Sequence, residues 1–293
     1  MKRIPLLLAA LGVVSAAAYA APELTVTNFG QSIESENVSN GNDINDLWLW
    51  NTVGLKYDDW SFGLTAGKLW TANYDHKDEI DSKGHRLQFD IAKPVTDNLK
   101  LTARYRGQHD YDRFQVGYSY TNGMFLSSGD IFYDSVNGDG HDLFHAELFP
   151  VGVKLGAVQL KYYFEYVEDL GGREVGQRES YTEHQIRLYA PLYKGERLTL
   201  STEGRFTIAQ DADFNGQPET KEKAGYRHYD DFGRNRLYLK ANYAVSENLD
   251  VFGTIGYEMR EWKLEDNNNG KGYNDDHTEK YWSNVVIGYN YKF

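Results

Sequence analysis

The segment Tyr281 to Phe293 reads YWSNVVIGYNYKF, and its residues alternate in character along its length. One face is apolar or aromatic and consists of Tyr281, Val285, Ile287, Tyr289, Tyr291 and Phe293. The opposite face is largely polar. Because successive side chains of a β-strand point to opposite sides of a sheet, the segment predicts a strand with one apolar face. Such a strand is typical of a transmembrane β-barrel, whose outer face meets lipid and whose inner face meets water.

Similar alternation recurs from Glu23 onward and predicts about 14 strands of roughly ten residues, long enough to cross a bilayer at a tilt. Connections after even-numbered strands are short and contain turn residues, such as Asp58-Asp59 and Asn122-Gly123. Most connections after odd-numbered strands are long and polar; they comprise residues 34–45, 70–83, 168–180, 207–233 and 261–279. We therefore predict an all-β transmembrane antiparallel barrel with short periplasmic turns and long extracellular loops. Since a change of one hairpin would preserve the alternation, 12 and 16 strands stay open.

Residues 1–20 have the features of an export signal. Lys2 and Arg3 precede a short apolar run, and Ala18-Tyr19-Ala20 forms a small-x-small cleavage site. The apolar run is too short to span a membrane as a retained anchor. We predict cleavage after Ala20, a barrel domain over residues 21–293 and localisation in the outer membrane.

Composition excludes several classes of protein. Removal of residues 1–20 leaves 29 basic and 43 acidic side chains, a formal charge of −14, which argues against a nucleic-acid partner. The chain has no cysteine, so it has no disulfide framework. A mean hydropathy of −0.64 together with 15% aromatic residues fits a barrel with a wet interior, in which only alternate strand residues are apolar.

Two family resemblances carry implications for fold and function. From Ala190-Pro191-Leu192-Tyr193-Lys194 to the C-terminus, the chain resembles fusobacterial major outer-membrane porins of the FomA type. The shared features are this Pro-Leu-Tyr-Lys turn, Leu-Tyr-Leu at 237–239, Asn-Leu-Asp-Val at 248–251 and the closing Tyr-Lys-Phe. Alternation and basic interior residues also resemble the KdgM-type oligogalacturonate-specific porins, which are small barrels with arginine-lined pores. Either resemblance implies passive transport, and resemblance to porins implies a homotrimer.

The last strand also resembles the C-terminal strand of bacterial outer-membrane proteins, which typically ends on Phe with aromatic residues at alternating positions. Tyr289, Tyr291 and Phe293 match that pattern. The resemblance implies that these residues form the membrane-assembly signal. We therefore expect outer-membrane lipid and the barrel-assembly machinery to be partners of this chain.

The predicted inner face is rich in cations. We predict that the pore-lining cations are Arg86, Lys100, Arg104, Arg106, Arg113, Lys161, Arg187, Arg205, Arg234, Arg236, Lys240 and Arg260. With Lys56, Lys280 and Lys292 they make 15, against seven inward acids: Asp90, Glu147, Glu165, Glu183, Glu203, Asp250 and Glu258. A positive lumen favours anions, so we expect a mild preference for anions, with acidic oligosaccharides as candidate solutes. Loop 207–233 is long enough to fold inward as a constriction.

Motifs of enzymes are absent. The chain has no G-x-S-x-G, no H-E-x-x-H and no phosphate-binding glycine loop. His109-Asp110 and His141-Asp142 lie near predicted extracellular rims, where histidines are mostly solvated, so we predict that the protein is not an enzyme and has no catalytic residue.

One loop matches a calcium-binding pattern. Asp211, Asp213, Asn215, Gly216 and Glu222 fit D-x-[DN]-x-[DN]-G-x5-E, whose oxygens can wrap Ca²⁺. Strands flank the loop and Pro218 lies inside it, unlike an EF-hand, so an acidic surface loop is the alternative. Apart from this Ca²⁺, we expect no cofactor.

The sequence as a whole predicts an outer-membrane porin that forms a water-filled channel for passive diffusion of small hydrophilic solutes and ions. The alternative is an adhesin or structural barrel that acts through its acidic extracellular loops.

Overall fold

The computed structural model of the chain describes residues 23–37, 44–73, 79–138, 140–171, 178–215, 227–228, 232–260, 263–264 and 280–293. The predicted export signal at residues 1–20 lies outside the described residues and stays a prediction. Among the described residues, no helix is long and apolar enough to cross a membrane.

The described chain forms sixteen strands. Their bounds are β1 Thr25–Asn37, β2 Ile44–Tyr57, β3 Trp60–Asn73, β4 Glu79–Pro94, β5 Leu99–Gln108, β6 Tyr111–Asn122, β7 Phe125–Val136, β8 Leu143–Leu155, β9 Val158–Asp169, β10 Arg178–Lys194, β11 Leu198–Phe214, β12 Arg227–His228, β13 Arg234–Ala244, β14 Leu249–Arg260, β15 Lys263–Leu264 and β16 Lys280–Lys292. The two-residue strands β12 and β15 pair only with each other.

The other fourteen strands close into one antiparallel barrel. Each pairs with its neighbours in the chain, and β1 pairs with β16 to complete the ring. In that closing ladder, Phe29 lies opposite Tyr291 and Ile33 lies opposite Ile287. Closure leaves no sheet edge unpaired, which a sheet surrounded by lipid requires. The predicted all-β barrel and its count of 14 membrane strands are confirmed.

Short turns join the strands at one end of the barrel, where the backbone adopts the left-handed conformations that tight hairpins need. Asp58 has φ of 54° in the turn between β2 and β3, and Gly123 has φ of 58° between β6 and β7. Primed turns of this kind match the right-handed twist of the flanking strands. The other end carries most of the longer connections, as at 170–177 and 215–233.

The strands run further into the predicted loops than alternation alone indicated. β10 and β11 each contain 17 residues, against about ten needed to cross a bilayer. Residues 207–214, predicted to belong to a constricting loop, are instead the end of β11, so that part of the prediction is wrong. The ends of β1, β3 and β9 likewise extend into segments that were predicted to be loops. The physical reason is that the hydrogen-bonded ladder continues beyond the apolar band, where both faces of a strand can be polar.

The outer face of the barrel is apolar. Large side chains exposed there include Leu87, Leu101, Val116, Ile131, Leu237, Leu239, Val251, Ile255, Val285 and Ile287. Aromatic side chains are exposed nearer the strand ends; they comprise Tyr57, Trp60, Tyr120, Tyr243, Tyr291 and Phe293 on the short-turn side, and Tyr105, Phe114, Tyr133 and Tyr257 on the other. This distribution matches an apolar band bordered by two aromatic girdles, as a barrel in a bilayer requires.

Candidate functional site

Most of the charged side chains of the membrane strands lie on the inner wall of the barrel. On β4 to β7, arginines project inward and contact polar partners on neighbouring strands. Arg104 Nε donates to Asp90 Oδ1 at 2.5 Å, and Arg113 binds both carboxylate oxygens of Asp134, at 2.6 and 2.7 Å. Arg106 Nε donates instead to the amide oxygen of Gln88, so this part of the wall contains both arginines paired with carboxylates and an arginine bound to a neutral amide.

Arg86 lies on an aromatic surface formed by two stacked tryptophans. The rings of Trp48 and Trp50 are 4.3 Å apart and nearly parallel, and the Arg86 guanidinium carbon lies 4.8 and 5.3 Å from their centroids. Arg86 Nε donates to Gln108, while Trp50 Nε1 donates to Glu34 at 2.8 Å. The tryptophans therefore hold the guanidinium in place by cation–π attraction.

The densest network of charges lies where β10, β13 and β14 approach one another. Glu258 is almost fully buried and contacts Arg234 at 3.2 Å, Arg236 and Arg260. Arg234 also reaches Glu183 at 2.9 Å, so one guanidinium joins carboxylates on two strands. Buried charges need such partners, because a carboxylate or guanidinium removed from water without one costs several kcal/mol.

The other cations of the wall lie on β9 to β13, and two of them bind Glu203. Arg205 and Lys240 each contact this carboxylate at 2.6 Å. Arg187 Nε donates to Gln185, and its guanidinium carbon lies 3.5 Å from the centroid of the Tyr163 ring. Lys161 lies over aromatic rings of the wall, 5.3 Å from the centroid of Phe149. The remaining predicted lining residue, Lys100, lies near the short turns, opposite Pro94 and Ser119.

Stacking on aromatic rings recurs around the wall. Besides Arg86 and Arg187, the guanidinium carbons of Arg113 and Arg236 lie 3.9 Å from the Phe132 ring and 4.0 Å from the Trp282 ring. Each ring restricts the rotamers of its arginine, so the donors of the wall are oriented before any solute arrives.

Inward carboxylates on β1 and β7 were missed by the sequence analysis. Asp134 binds Arg113; Glu34 accepts hydrogen bonds from Trp50 and from Asn284 Nδ2; Glu36 accepts one from Trp282. Asp130 lies directly opposite Glu147 in the ladder. These acids lower the predicted excess of eight positive charges. Alternation in β1 and β7 would have found them, since each acid shares a face with small or aromatic inward residues.

The histidines of the two His-Asp pairs noted in the sequence, His109 and His141, lie in connections between strands. His109 and Asp110 are 2.9 Å apart and exposed in the β5–β6 turn, and His141 Nδ1 lies 2.9 Å from Asp169. Asp142 accepts hydrogen bonds from the Tyr133 hydroxyl and the Val136 amide, and the first of these does most to hold the pKa of Asp142 below its usual range. These contacts link the ends of neighbouring strands at the rim of the barrel.

The candidate calcium ligands are only partly described. Asp211 and Asp213 lie within β11, opposite Thr182 and Ser180, and Asn215 follows the strand. Glu222 lies outside the described residues. The described part of the chain contains no group of three or more acidic or histidine side chains able to hold a metal. The calcium pattern stays a prediction.

Comparison with solved structures places this architecture among outer-membrane barrels. A bacterial polysaccharide outer membrane secretin is similar over 92% of this chain and 98% of its own, with a TM-score of 0.54 and 8% identity. This chain therefore shares the fold of a closed β-barrel with that outer-membrane protein. A channel, DcaP of Acinetobacter baumannii, has a TM-score of 0.46 with 8% identity, covering 96% of this chain and 100% of its own. An anion-selective porin from Comamonas acidovorans has a TM-score of 0.44 with 10% identity, covering 92% and 100%.

Sequence comparisons give no family. No protein-family model matches the chain, and no curated protein matches it. The resemblances to the FomA and KdgM types therefore stay predictions.

Proposed function

We propose that the protein is a porin, a water-filled channel through which small hydrophilic solutes and ions diffuse passively across the outer membrane. The observation that carries the proposal is a closed barrel of fourteen strands with an apolar exterior and an inner wall of charged side chains. A barrel of about eight strands is filled by its own side chains, whereas one of about 16 leaves an aqueous channel.

The channel prefers anions in this proposal. Asp90, Asp134, Glu203 and Glu258 neutralise many of the inward cations. In contrast, Arg86, Arg106, Lys161 and Arg187 have no carboxylate within ion-pair distance among the described residues. Unpaired cations on a low-dielectric wall raise the local concentration of anions. Acidic oligosaccharides, with several carboxylates along a flexible chain, are a solute class that this wall suits.

Conductance across a planar bilayer tests the pore itself. Refolded protein should give stable ohmic current steps, because a channel lined by water and fixed charges conducts at both polarities. An adhesin or structural barrel acting through its acidic loops would insert without conducting. Silence at every voltage, with correctly folded protein in the membrane, would favour the adhesin.

Reversal potential in a KCl gradient tests the selectivity. The wild type should prefer chloride, and the double variant Arg86→Gln, Arg106→Gln should lose much of that preference. Lys93→Gln is a suitable control, since Lys93 lies over Trp60 on the outer face, 4.6 Å from the ring centroid. A cation-selective wild type, or equal shifts in the control and the double variant, would contradict the assignment of charge to the lumen.

An oligomer, with a homotrimer as the expected state, is also part of the proposal. Three hydrogen-bonded polar side chains lie together on the outer face. Tyr289 donates to Gln31 at 2.9 Å, and Gln31 donates to Asn51 at 2.7 Å. Polar side chains are costly against lipid and are found where another protein surface covers them. Chemical crosslinking in native membranes should give a trimer that Gln31→Leu with Asn51→Leu alters; a monomer in both would contradict it.

A further inference from the structure

The inner wall contains a cavity of about 310 Å³ between β8 and β14. Its lining includes glutamates on β8 and β9 and arginines on β10, β11 and β13. A cavity of this size is at the lower end of those that bind small molecules, about 300–1,000 Å³. It therefore has room for a solute larger than a simple ion.

One side of the cavity carries two carboxylates that form no ion pair within the described chain. Glu147 and Glu165 are direct cross-strand partners of β8 and β9, and Glu165 is also the partner of Glu183 on β10. Glu183 is neutralised by Arg234, whereas neither Glu147 nor Glu165 has an ion pair within the described chain. Like charges directly opposite each other destabilise a sheet, so a bound cationic group would be favourable here.

The other side of the cavity is basic. Arg187 is the direct partner of Arg205, which is in turn the partner of Arg236. Arg205 and Arg236 have carboxylate partners, whereas Arg187 has none: its Nε donates to Gln185, its side chain also hydrogen-bonds Tyr189, and it lies against the Tyr163 ring. A guanidinium has five N–H donors, so Arg187 retains donors for a carboxylate, for which its planar fork is suited.

The spacing of the two sides limits the solute. Glu183 and Arg187, which belong to the acidic and the basic row, are four residues apart on β10, or about 13 Å at the rise of a strand. Long side chains from both rows line the same cavity, so their charged ends are closer than their backbones. An extended dipeptide separates its ammonium and carboxylate by about 7 Å, more than a single amino acid does.

We propose that this cavity is a binding site for zwitterionic peptides of about two residues. The ammonium group binds between Glu147 and Glu165, and the carboxylate binds Arg187. The inference rests on the proposed function, because the cavity opens to the lumen through which such a peptide would pass. The proposed site adds zwitterionic peptides to the anions that the positive charge of the wall favours.

Calorimetric titration of refolded protein in detergent tests the site without requiring conduction. The probes are glycylglycine, N-acetylglycine, which lacks the ammonium group, and glycinamide, which lacks the carboxylate. Each charge-assisted contact adds roughly tenfold in affinity, so glycylglycine should bind at least about tenfold more tightly than either analogue. Equal affinity for the three probes would overturn the proposal.

Variants locate the binding to this cavity. Glu147→Gln with Glu165→Gln should remove the advantage of glycylglycine over N-acetylglycine, and Arg187→Gln should remove its advantage over glycinamide. Asp90→Asn is the control, since Asp90 lies on the inner wall of β4 outside this cavity and its change also removes one negative charge from the lumen. Should the double variant fail to fold, Arg187→Gln alone decides.

The outcomes separate this proposal from that of a porin. A protein that conducts but does not discriminate among the probes refutes the peptide site alone. A protein that discriminates but never conducts refutes the porin alone. Full discrimination in both the glutamate and the arginine variants would also refute the site.

Discussion

Replacing Glu258 with glutamine tests whether the buried charge network stabilises the barrel. Glutamine keeps the shape of the side chain but removes the charge that Arg234, Arg236 and Arg260 share. The side chain of Glu258 is 1% exposed, so water cannot replace the lost carboxylate. Three guanidiniums would then repel one another around a neutral amide.

The magnitude follows from the burial of the partners. Removing one member of a buried ion pair costs about 3–5 kcal/mol. The arginine side chains are 15–24% exposed, so water partly solvates them and the lower value, about 3 kcal/mol, is expected. Asp250→Asn is the matched control, because Asp250 pairs with Lys292, whose side chain is 51% exposed, and such pairs contribute about 1 kcal/mol or less.

Equilibrium unfolding of both variants by urea in lipid vesicles measures the difference. The midpoint should fall clearly for Glu258→Gln and little for Asp250→Asn. Adding Arg260→Gln to Glu258→Gln should restore part of the loss, since one unpaired guanidinium is then gone. An equal effect of the two single variants, or no recovery in the double variant, would refute the view that Glu258 holds the network together.

Three further predictions address the membrane face, assembly and calcium. Leu239→Arg on the outer face should destabilise insertion by about 2–4 kcal/mol near the midplane, whereas Asn242→Arg on the inner face should be tolerated in the same vesicle-folding assay; equal tolerance would show that the assigned faces are wrong. Deleting Phe293, whose amide donates to Thr27, should lower the yield of heat-modifiable barrel in cells, and normal insertion would contradict a terminal assembly signal. Calorimetry with Ca²⁺ should show binding that Asp211→Ala with Asp213→Ala abolishes; no heat at millimolar Ca²⁺ would rule out the site.

Much of the barrel was predictable from the sequence because its signals are local. A period of two residues defines the lipid face of a strand such as β5 or β16, and Asn122-Gly123 identifies a hairpin by the conformation that glycine permits. Bulges limit such reasoning. The ladder shifts between Leu148 and Val151 and again between His184 and Gln185, and at each shift the alternation of faces restarts.

The sequence by itself determined the class of fold and the polar character of the lumen, because each depends on neighbours within about ten residues, whereas closure of the ring decided among 12, 14 and 16 strands. Only the tertiary structure decided which charges are paired. Arg234 binds Glu183 across 51 positions of the chain, and Trp282 binds Glu36 across 246. Such contacts depend on the register between strands and on the closure of β1 onto β16. The same long-range pairing brings together the residues that line the cavity between β8 and β14.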